Sequence, residues 1–505
     1  MRNQNIKDAW VYHDETKHSP ESVRRNVHFL DWANRPLLFK IYPDLEPIPL
    51  PRDTPQTGVA ALSSVASSGI PAKEAKPDLE DLTKLLFFSA GVTRRRGEFL
   101  FRAAACTGAL YEIELYLACA DLPGLAAGLY HFNSGDLSLR RLREGDFRGV
   151  VASASGHDDV IEHAPAIIVS TGVYWRNAWK YQARTYRHFG WDNGTLTANE
   201  LAMAAALGLP AKLVCGFVDD EINRLLDLDT KREVALTLLA IGRTETQAPD
   251  PLPIPPLGLD TIPYSESQVD YPAMRALHEA SSLAGPEEAA AWREAAASIK
   301  PAAAPVTIGE FIPIEPLSDA DMPTDTIEEV ILRRGSARRF TGDPITFSEL
   351  STILDRSTRG IPADFGSLNE LYLIVNAVDG LLQGVYFYNS RERRLDILRF
   401  GDFRVRAAYL ALEQQLAGDA AVAIFFLADL ERSLSALGNR AYRAAQLEAG
   451  IIGGKVYLSS YAMRLGATGL TFYDDEVVSF FSPHAEGKSA IFLTAVGHPA
   501  KRSLT

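Results

Sequence analysis

GLYHFNSGDLSLRRLREGDFR, residues 128 to 148, returns as GVYFYNSRERRLDILRFGDFR, residues 384 to 404, an offset of 256 positions (384 minus 128). The same offset carries ARTYRHFGWDNG, from Ala183, onto NRAYRAAQLEAG, from Asn439. AAALGLPAKLVCGFVDDEINRLL then reappears as YAMRLGATGLTFYDDEVVSFF, and LTLLAIGR as IFLTAVGHP, each within a residue or two of that shift. One match could be chance, but four in order make a duplicated domain, and a repeat of this kind fixes architecture ahead of secondary structure.

Around the repeat the chain divides into an arm over residues 1–55, a first copy over 56–245, a Pro/Ala-rich linker over 246–320 and a second copy over 321–505. Proline removes backbone donors and blocks helix interiors, so arm and linker are expected to be largely extended, with short helices within PAMRALHEASSLAGPEEAAAWREAAASI. Inside each copy, apolar runs such as Ala166 to Val173 and Ala421 to Ala428 read as buried strands or short helices, and LTANELAMAAALG reads as helix. The mixture predicts an α+β or α/β sandwich around a sheet.

At 505 residues the chain exceeds the size at which one core keeps growing, which fits two domains. No apolar run approaches the ~20 residues of a membrane span. A net charge of −13 argues against nucleic-acid or anionic-membrane partners, so any anion site must be local. MRNQNIKDAW lacks an apolar signal core, and Cys106, Cys119 and Cys215 lack metal or redox spacing, which favours a reducing cytoplasm.

The second copy opens with TIEEVILRRGSARRF. Guanidinium forks suit phosphate, so Arg333, Arg334, Ser336 and Arg338 form a candidate phosphate grip. The plain alternative is a solvated helix end whose arginines favour the negative pole of the dipole. Lys501 and Arg502, in GHPAKRS, are a second cationic cluster or a basic tail. The first copy has SSVASSGIP at the corresponding place and no arginine there, so it is not expected to hold the same anion.

The first copy instead carries FRAAACTGALYEIELY, where Ala105, Cys106, Thr107 and Gly108 allow close backbone approach to a flat ligand or, equally, close helix packing. Cys106 reads as a small buried thiol, since no histidine motif accompanies it. Lys180-Tyr181 lies opposite Ala436-Leu437, while the neighbouring arginines and tyrosines occur in both copies. The shared residues therefore serve the framework. Adjacent helical residues point about 100° apart, and the plain reading of the pair is an exposed lysine beside a half-buried tyrosine.

With these residues assembled, the chain resembles the SagB/ThcOx-type dehydrogenases of the nitroreductase superfamily, in a tandem form. The likeness runs through YHDETKHSPESV and LDWANRPLLFKIYP, RAAACTGALYEIELY, GLYHFN, WKYQARTYRH, LGLPAKLVCGFVDDEINRLL, RRGSARRF and LGATG. It implies two nitroreductase-like folds forming an intramolecular pseudo-dimer with FMN at their interface. By that resemblance Arg333, Arg334, Ser336 and Arg338, with Lys501 and Arg502, hold the phosphate. Gly466 and Ala467 lie near the flavin N5 edge, and Ala105 to Gly108 face the ring, although RAAACTGAL lacks the Pro-Ser usual in that motif. Lys180 and Tyr181 match the Lys-Tyr pair of azoline-oxidising members.

The expected activity is thus FMN-dependent dehydrogenation of a small-molecule or peptide-derived intermediate by hydride transfer to N5, with one intact flavin site per chain. NAD(P)H or O2 would be co-substrates. The alternatives are an NAD(P)H-dependent nitro- or quinone reductase and a non-catalytic flavin-binding scaffold.

Overall fold

The computed structural model of the protein describes residues 2–69, 73–299, 309–318 and 320–500. Two seven-stranded sheets carry one topology twice. The first comprises β1 (Pro47–Pro49), β2 (Ile113–Cys119), β3 (Gly128–Asn133), β4 (Ser138–Glu144), β5 (Ala166–Val173), β6 (Ala211–Val214) and β7 (Glu233–Ile241), in the order β1-β4-β3-β2-β5-β7-β6. The second comprises β8 (Phe311–Pro313), β9 (Asn369–Val375), β10 (Gly384–Asn389), β11 (Arg394–Phe400), β12 (Val422–Ala428), β13 (Gly466–Gly469) and β14 (Ser489–Gly497), in the order β8-β11-β10-β9-β12-β14-β13. The apolar runs of the sequence are the near-central strands β5 and β12, each wholly buried. The opening repeat is the hairpin pair β3-β4 and β10-β11.

Each sheet takes one of its two edge strands from beyond the repeat. Residues 47–49, in the arm, pair with β4, and residues 311–313, in the linker, pair with β11. Both are three residues long with a single half-buried isoleucine, Ile48 or Ile312. Proline at such a position costs no ladder hydrogen bond and blunts the edge. The arm is also less extended than its composition suggests, since Lys7–Glu15 forms a helix, α1. The linker contains helices over Pro272–Ala280 and Pro286–Ser298. Among the described residues no helix is long and apolar enough to cross a membrane.

The copies meet through two long helices, Thr185–Ala206 and Arg440–Ala462. Nearly every residue of both is buried, so neither has a solvent face. Their crossing requires glycine. A Cβ on Gly194 would lie 2.6 Å from the Gly450 backbone, and one on Gly450 would lie 2.6 Å from the Trp191 carbonyl oxygen. Positions 194 and 450 are 256 apart, so equivalent residues touch each other, which marks the pseudo-twofold axis.

Two buried ion clusters lock the crossing. Arg184 and Arg187 of the first copy reach Asp474 of the second, at 3.1 and 2.6 Å. Arg440 and Arg443 of the second reach Asp219 of the first, at 2.6 and 2.7 Å. The α1 arm joins the first cluster, because Arg187 also donates to the His13 carbonyl and the Thr16 hydroxyl. These are the arginines that persist in ARTYR and NRAYR, and the aspartates of VDDEI and YDDEV. Burial alone would raise the Asp219 carboxyl, but Arg440 and Arg443 hold it down at about 2. Asp474 is depressed in the same way by Arg184 and Arg187.

Two outcomes follow for stability. Gly450→Ala, which in an exposed helix would gain about 1 kcal/mol, is expected here to cost about 1–3 kcal/mol in denaturant unfolding, because the methyl group strikes helix backbone. The two aspartates, ionised well below an unfolded value near 3.9, contribute stability that is fully present above about pH 4 and is lost as pH falls toward 2. Asp219→Asn, which strands two buried guanidinium groups, should cost about 3–5 kcal/mol at neutral pH and flatten the acid limb of the stability curve.

Candidate functional site

Lys180 and Tyr181 end the eight-residue helix α2 (Tyr174–Tyr181), which is followed at once by Gln182 at φ 52°, ψ −141°. The equivalent turn of the second copy uses Gly438, at φ 71°. A side chain on that backbone costs on the order of 1–3 kcal/mol, and such strain persists only where surrounding contacts impose it. Here Asn26 of the arm donates to Gln182 Oε1 at 2.8 Å, and His28 contacts the Trp179 carbonyl at 2.9 Å. The arm therefore clamps the helix end that presents the pair.

Lys180 is half-buried, with Nζ 5.2 Å from the Tyr181 ring centroid. Burial, and then the charge of Arg338 from the other copy, lowers its pKa. Tyr181 stands edge-on to His188, with ring centroids 4.7 Å apart. Its hydroxyl lies over Gly108, where a Cβ would come within 2.8 Å of it. Burial raises the Tyr181 pKa, and the nearby Asp192, Cys106 and Glu112 raise it further against the pull of Arg338.

The four arginine-segment residues of the second copy separate by role. Arg333 pairs with Asp325 at 2.6 Å and donates to the Tyr461 carbonyl. Arg334 is buried and donates across the interface to the Ala103 and Arg102 carbonyls, at 2.8 and 3.1 Å. Ser336 meets the Tyr457 hydroxyl at 3.2 Å, and Ala337 N–H bonds to the Ala467 carbonyl, which sets the segment against β13. Arg338 is exposed and pairs with no described acid. Lys501 and Arg502 lie outside the described residues.

A cation absent from the sequence reading joins them. Arg94, on the hairpin Val92–Arg96/Phe99–Arg102 just ahead of Ala103, donates to the Arg334 carbonyl at 3.4 Å. The run TRRRG in an acidic chain was the signal for it. Arg94 thus reaches the segment that carries Arg338, Lys180 lies within the electrostatic reach of Arg338, and none of the three forms an ion pair with a described acid. Like charges held together without a counter-ion favour an anionic ligand. Small residues lie beside them: Arg334 donates to the Ala103 carbonyl, Gly108 sits against the Tyr181 hydroxyl, and the Ala467 carbonyl accepts from Ala337 N–H. At Gly466 a Cβ would sit 3.1 Å from Pro499 and 3.3 Å from Ala337.

Behind Gly108 lies a carboxylate pair that the sequence reading passed over. Asp192 accepts hydrogen bonds from Thr107 N–H at 2.8 Å and the Thr107 hydroxyl at 2.9 Å. The Cys106 thiol stands 3.5 Å from Asp192 and 3.4 Å from Glu112. The Cys106 Sγ and one carboxylate oxygen each of Glu112 and Asp192 fall within 4.8 Å of one another.

The pseudo-equivalent place is closed. Its loop, Gly360 to Gly366, adds itself to β6. Leu213 pairs with Ala363, and the Asp364 carboxylate, at the position of Gly108, accepts N–H groups of Cys215 and Gly216 at 2.7–2.9 Å. Where the first copy presents Tyr181, Leu437 is buried, and its carbonyl is taken by Trp292 Nε1 at 3.0 Å and Asn3 Nδ2 at 2.8 Å. Trp292 and Arg293 belong to the linker helix Pro286–Ser298, which packs on Gly216 so closely that a Cβ there would meet Arg293 at 2.4 Å.

Cations without a described counter-ion beside small residues are the chemistry that suits a flat ligand bearing an anionic group. Comparisons with known proteins give the family. The Nitroreductase family matches residues 74–243 and again residues 331–498. The nitroreductase-named protein MJ1384 of Methanocaldococcus jannaschii is 30% identical over 165 residues, 33% of this chain and 80% of that one. The trifolitoxin-processing protein TfxB of Rhizobium leguminosarum bv. trifolii is 26% identical over 186 residues, 33% of this chain, and the match spans 48% of its own length. A solved structure named for nitroreductase, from Anabaena variabilis, superposes with a TM-score of 0.77 at 27% identity, covering 98% of this chain and 99% of that one. Two family matches and a whole-length structural relative fit one conclusion: the chain belongs to the nitroreductase family, with the fold present twice in tandem.

Proposed function

We propose that the protein is an FMN-dependent oxidoreductase of the SagB/ThcOx type that dehydrogenates an azoline-like C–N intermediate, small-molecule or peptide-derived, at one site per chain. The observation that carries this reading is the asymmetry of the interface. Lys180 and Tyr181 of the first copy converge with Arg338 of the second, whereas the exchanged combination is filled by Asp364, Leu437 and Trp292. The partial similarity to TfxB supports a peptide-derived substrate.

The residues present fit FMN. Arg338 and Arg94, with the Ser336 hydroxyl, would hold the phosphate, and the small residues from Ala103 to Gly108 and at Gly466-Ala467 would admit the ring. Arg333 and Arg334 act one step back, tying the phosphate segment to Asp325 and to the first copy's backbone. Bound FMN would supply the two-electron acceptance that no side chain here can provide.

The chain's own part is proton handling. A lysine desolvated beside Arg338 is available as a neutral amine at lower pH than usual, so Lys180 Nζ can take a proton from substrate. The Tyr181 hydroxyl, kept protonated by burial and by acidic neighbours, can donate or relay one. Such assistance contributes about 100- to 10,000-fold. Lys180→Ala is expected to reduce turnover of an azoline model compound by that factor with FMN still bound. Lys180→Arg should not restore it, because a guanidinium does not deprotonate. Wild-type turnover should rise with pH through the lowered lysine pKa, and that limb should vanish in Lys180→Ala. Unchanged turnover in Lys180→Ala would contradict the assignment, and rapid anaerobic bleaching by NAD(P)H without azoline turnover would replace it with a reductase.

A further inference from the structure

The internal repeat supplies a control for every residue of the site. Opposite Lys180, Tyr181, Gly108 and Glu112 stand Ala436, Leu437, Asp364 and Leu368, each 256 positions on. Opposite Asp192 stands Glu448, which is fully used in the fold: it accepts the Leu368 and Asn369 N–H groups at 2.8 Å and Asn369 Nδ2 at 2.7 Å. At these positions the copy that presents Lys180-Tyr181 has a buried pair of carboxylates, and the other has Leu368 beside a single acid, Glu448.

The pair's surroundings are unusual for two acids. Glu112 and Asp192 are 0% and 6% exposed, and neither forms an ion pair with a described cation. Glu112 Oε1 has no hydrogen-bond partner among the described residues. Among the described residues the donors to the pair are Thr107, through its N–H and hydroxyl to Asp192, and the Cys106 thiol. Two adjacent carboxylates in a dry site cannot both carry charge, as their mutual repulsion and desolvation are relieved by one shared proton. Burial first, and then the charge of Glu112, raises the affinity of Asp192 for that proton. Tyr181 lies on the far side of Thr107-Gly108, its hydroxyl against Gly108 and within the electrostatic reach of both acids and of Cys106.

We infer that Glu112 and Asp192 hold one proton between them and serve as a proton store behind Tyr181. This inference rests on the proposed function for its purpose but not for its chemistry. When Tyr181 receives a proton from substrate, its own hydroxyl proton passes inward and the pair goes from a charge of −1 to 0. In the opposite direction the pair returns to −1 and Tyr181 delivers one proton outward. No electrons move in either step. Glu112 and Asp192 touch no substrate and are positioning residues that keep Tyr181 ready for a second turnover.

The test is infrared spectroscopy on the purified chain without flavin, comparing wild type with the double variant Glu112→Gln/Asp192→Asn at neutral pH. The wild type should show the carbonyl stretch of a protonated, buried carboxyl that is missing in the double variant. Both acids are replaced because burial, the larger cause, would keep a proton on Asp192 after Glu112 alone is neutralised. The buried carboxyls of Glu200 and Glu448, which burial raises to about 8 and about 7, contribute to both spectra and cancel in the difference. Tyr181→Phe should leave the band in place and shift its frequency. Cys106→Ser, which alters the same cluster without removing an acid, should also retain it. A difference spectrum with no carboxyl band overturns the store, and a band indifferent to Tyr181→Phe overturns its coupling to the site. Because flavin is absent, either failure is distinct from failure to bind FMN.

Discussion

The contact of Gly194 with Gly450 is the constraint on which the rest depends. Two helices buried on every side can approach this closely only where both lack a side chain. Their approach brings Arg334 of the second copy within 2.8 Å of the Ala103 carbonyl of the first. It also lets each copy's arginine pair reach the other's aspartate. The buried ion clusters are expensive to desolvate and weak as a net source of stability, but they penalise any other arrangement of the copies severely. The fold is therefore an obligate pair, and every site between its halves is composite.

Pseudo-symmetry alone would make two such sites. The differences all fall in one direction. The first copy carries Lys180, Tyr181, Gly108 and the Glu112–Asp192 pair, while the second carries the Ser336 and Arg338 segment. The exchanged combination has an acid where a flat ligand would need glycine, and it is further filled by the linker helix. A duplicated chain can specialise its halves as a symmetric dimer of identical chains cannot. Here one composite site keeps Gly108 beside Tyr181, and the other carries Asp364 bonded into the neighbouring backbone.

Much of this was legible in the sequence. The repeat disclosed the tandem architecture, and comparison of the copies separated the framework residues Arg184 and Arg187 from Lys180-Tyr181. Other features were not legible, for physical reasons. Arginines look alike in sequence, and only the fold shows that Arg333 and Arg334 are bound to Asp325 and to backbone carbonyls while Arg338 pairs with no described acid. Asp192 stood inside a segment read as framework, and its partner Glu112 is 80 positions away (192 minus 112), so nothing local joins them. The edge strands Pro47–Pro49 and Phe311–Pro313 are too short and too rich in proline to register as strands. The helix Pro286–Ser298 reads as a short linker helix, and its role as a plug depends wholly on where it lands.

The most direct measurement of the central claim is flavin stoichiometry: the absorption spectrum of the purified chain, followed by acid release and quantification of its cofactor against polypeptide. One FMN per chain, abolished by charge reversal at Arg338 and unaffected by Asp364→Asn, is the predicted result. Two FMN per chain would contradict the closed second site, and none, even after incubation with excess FMN, would contradict the flavin assignment itself.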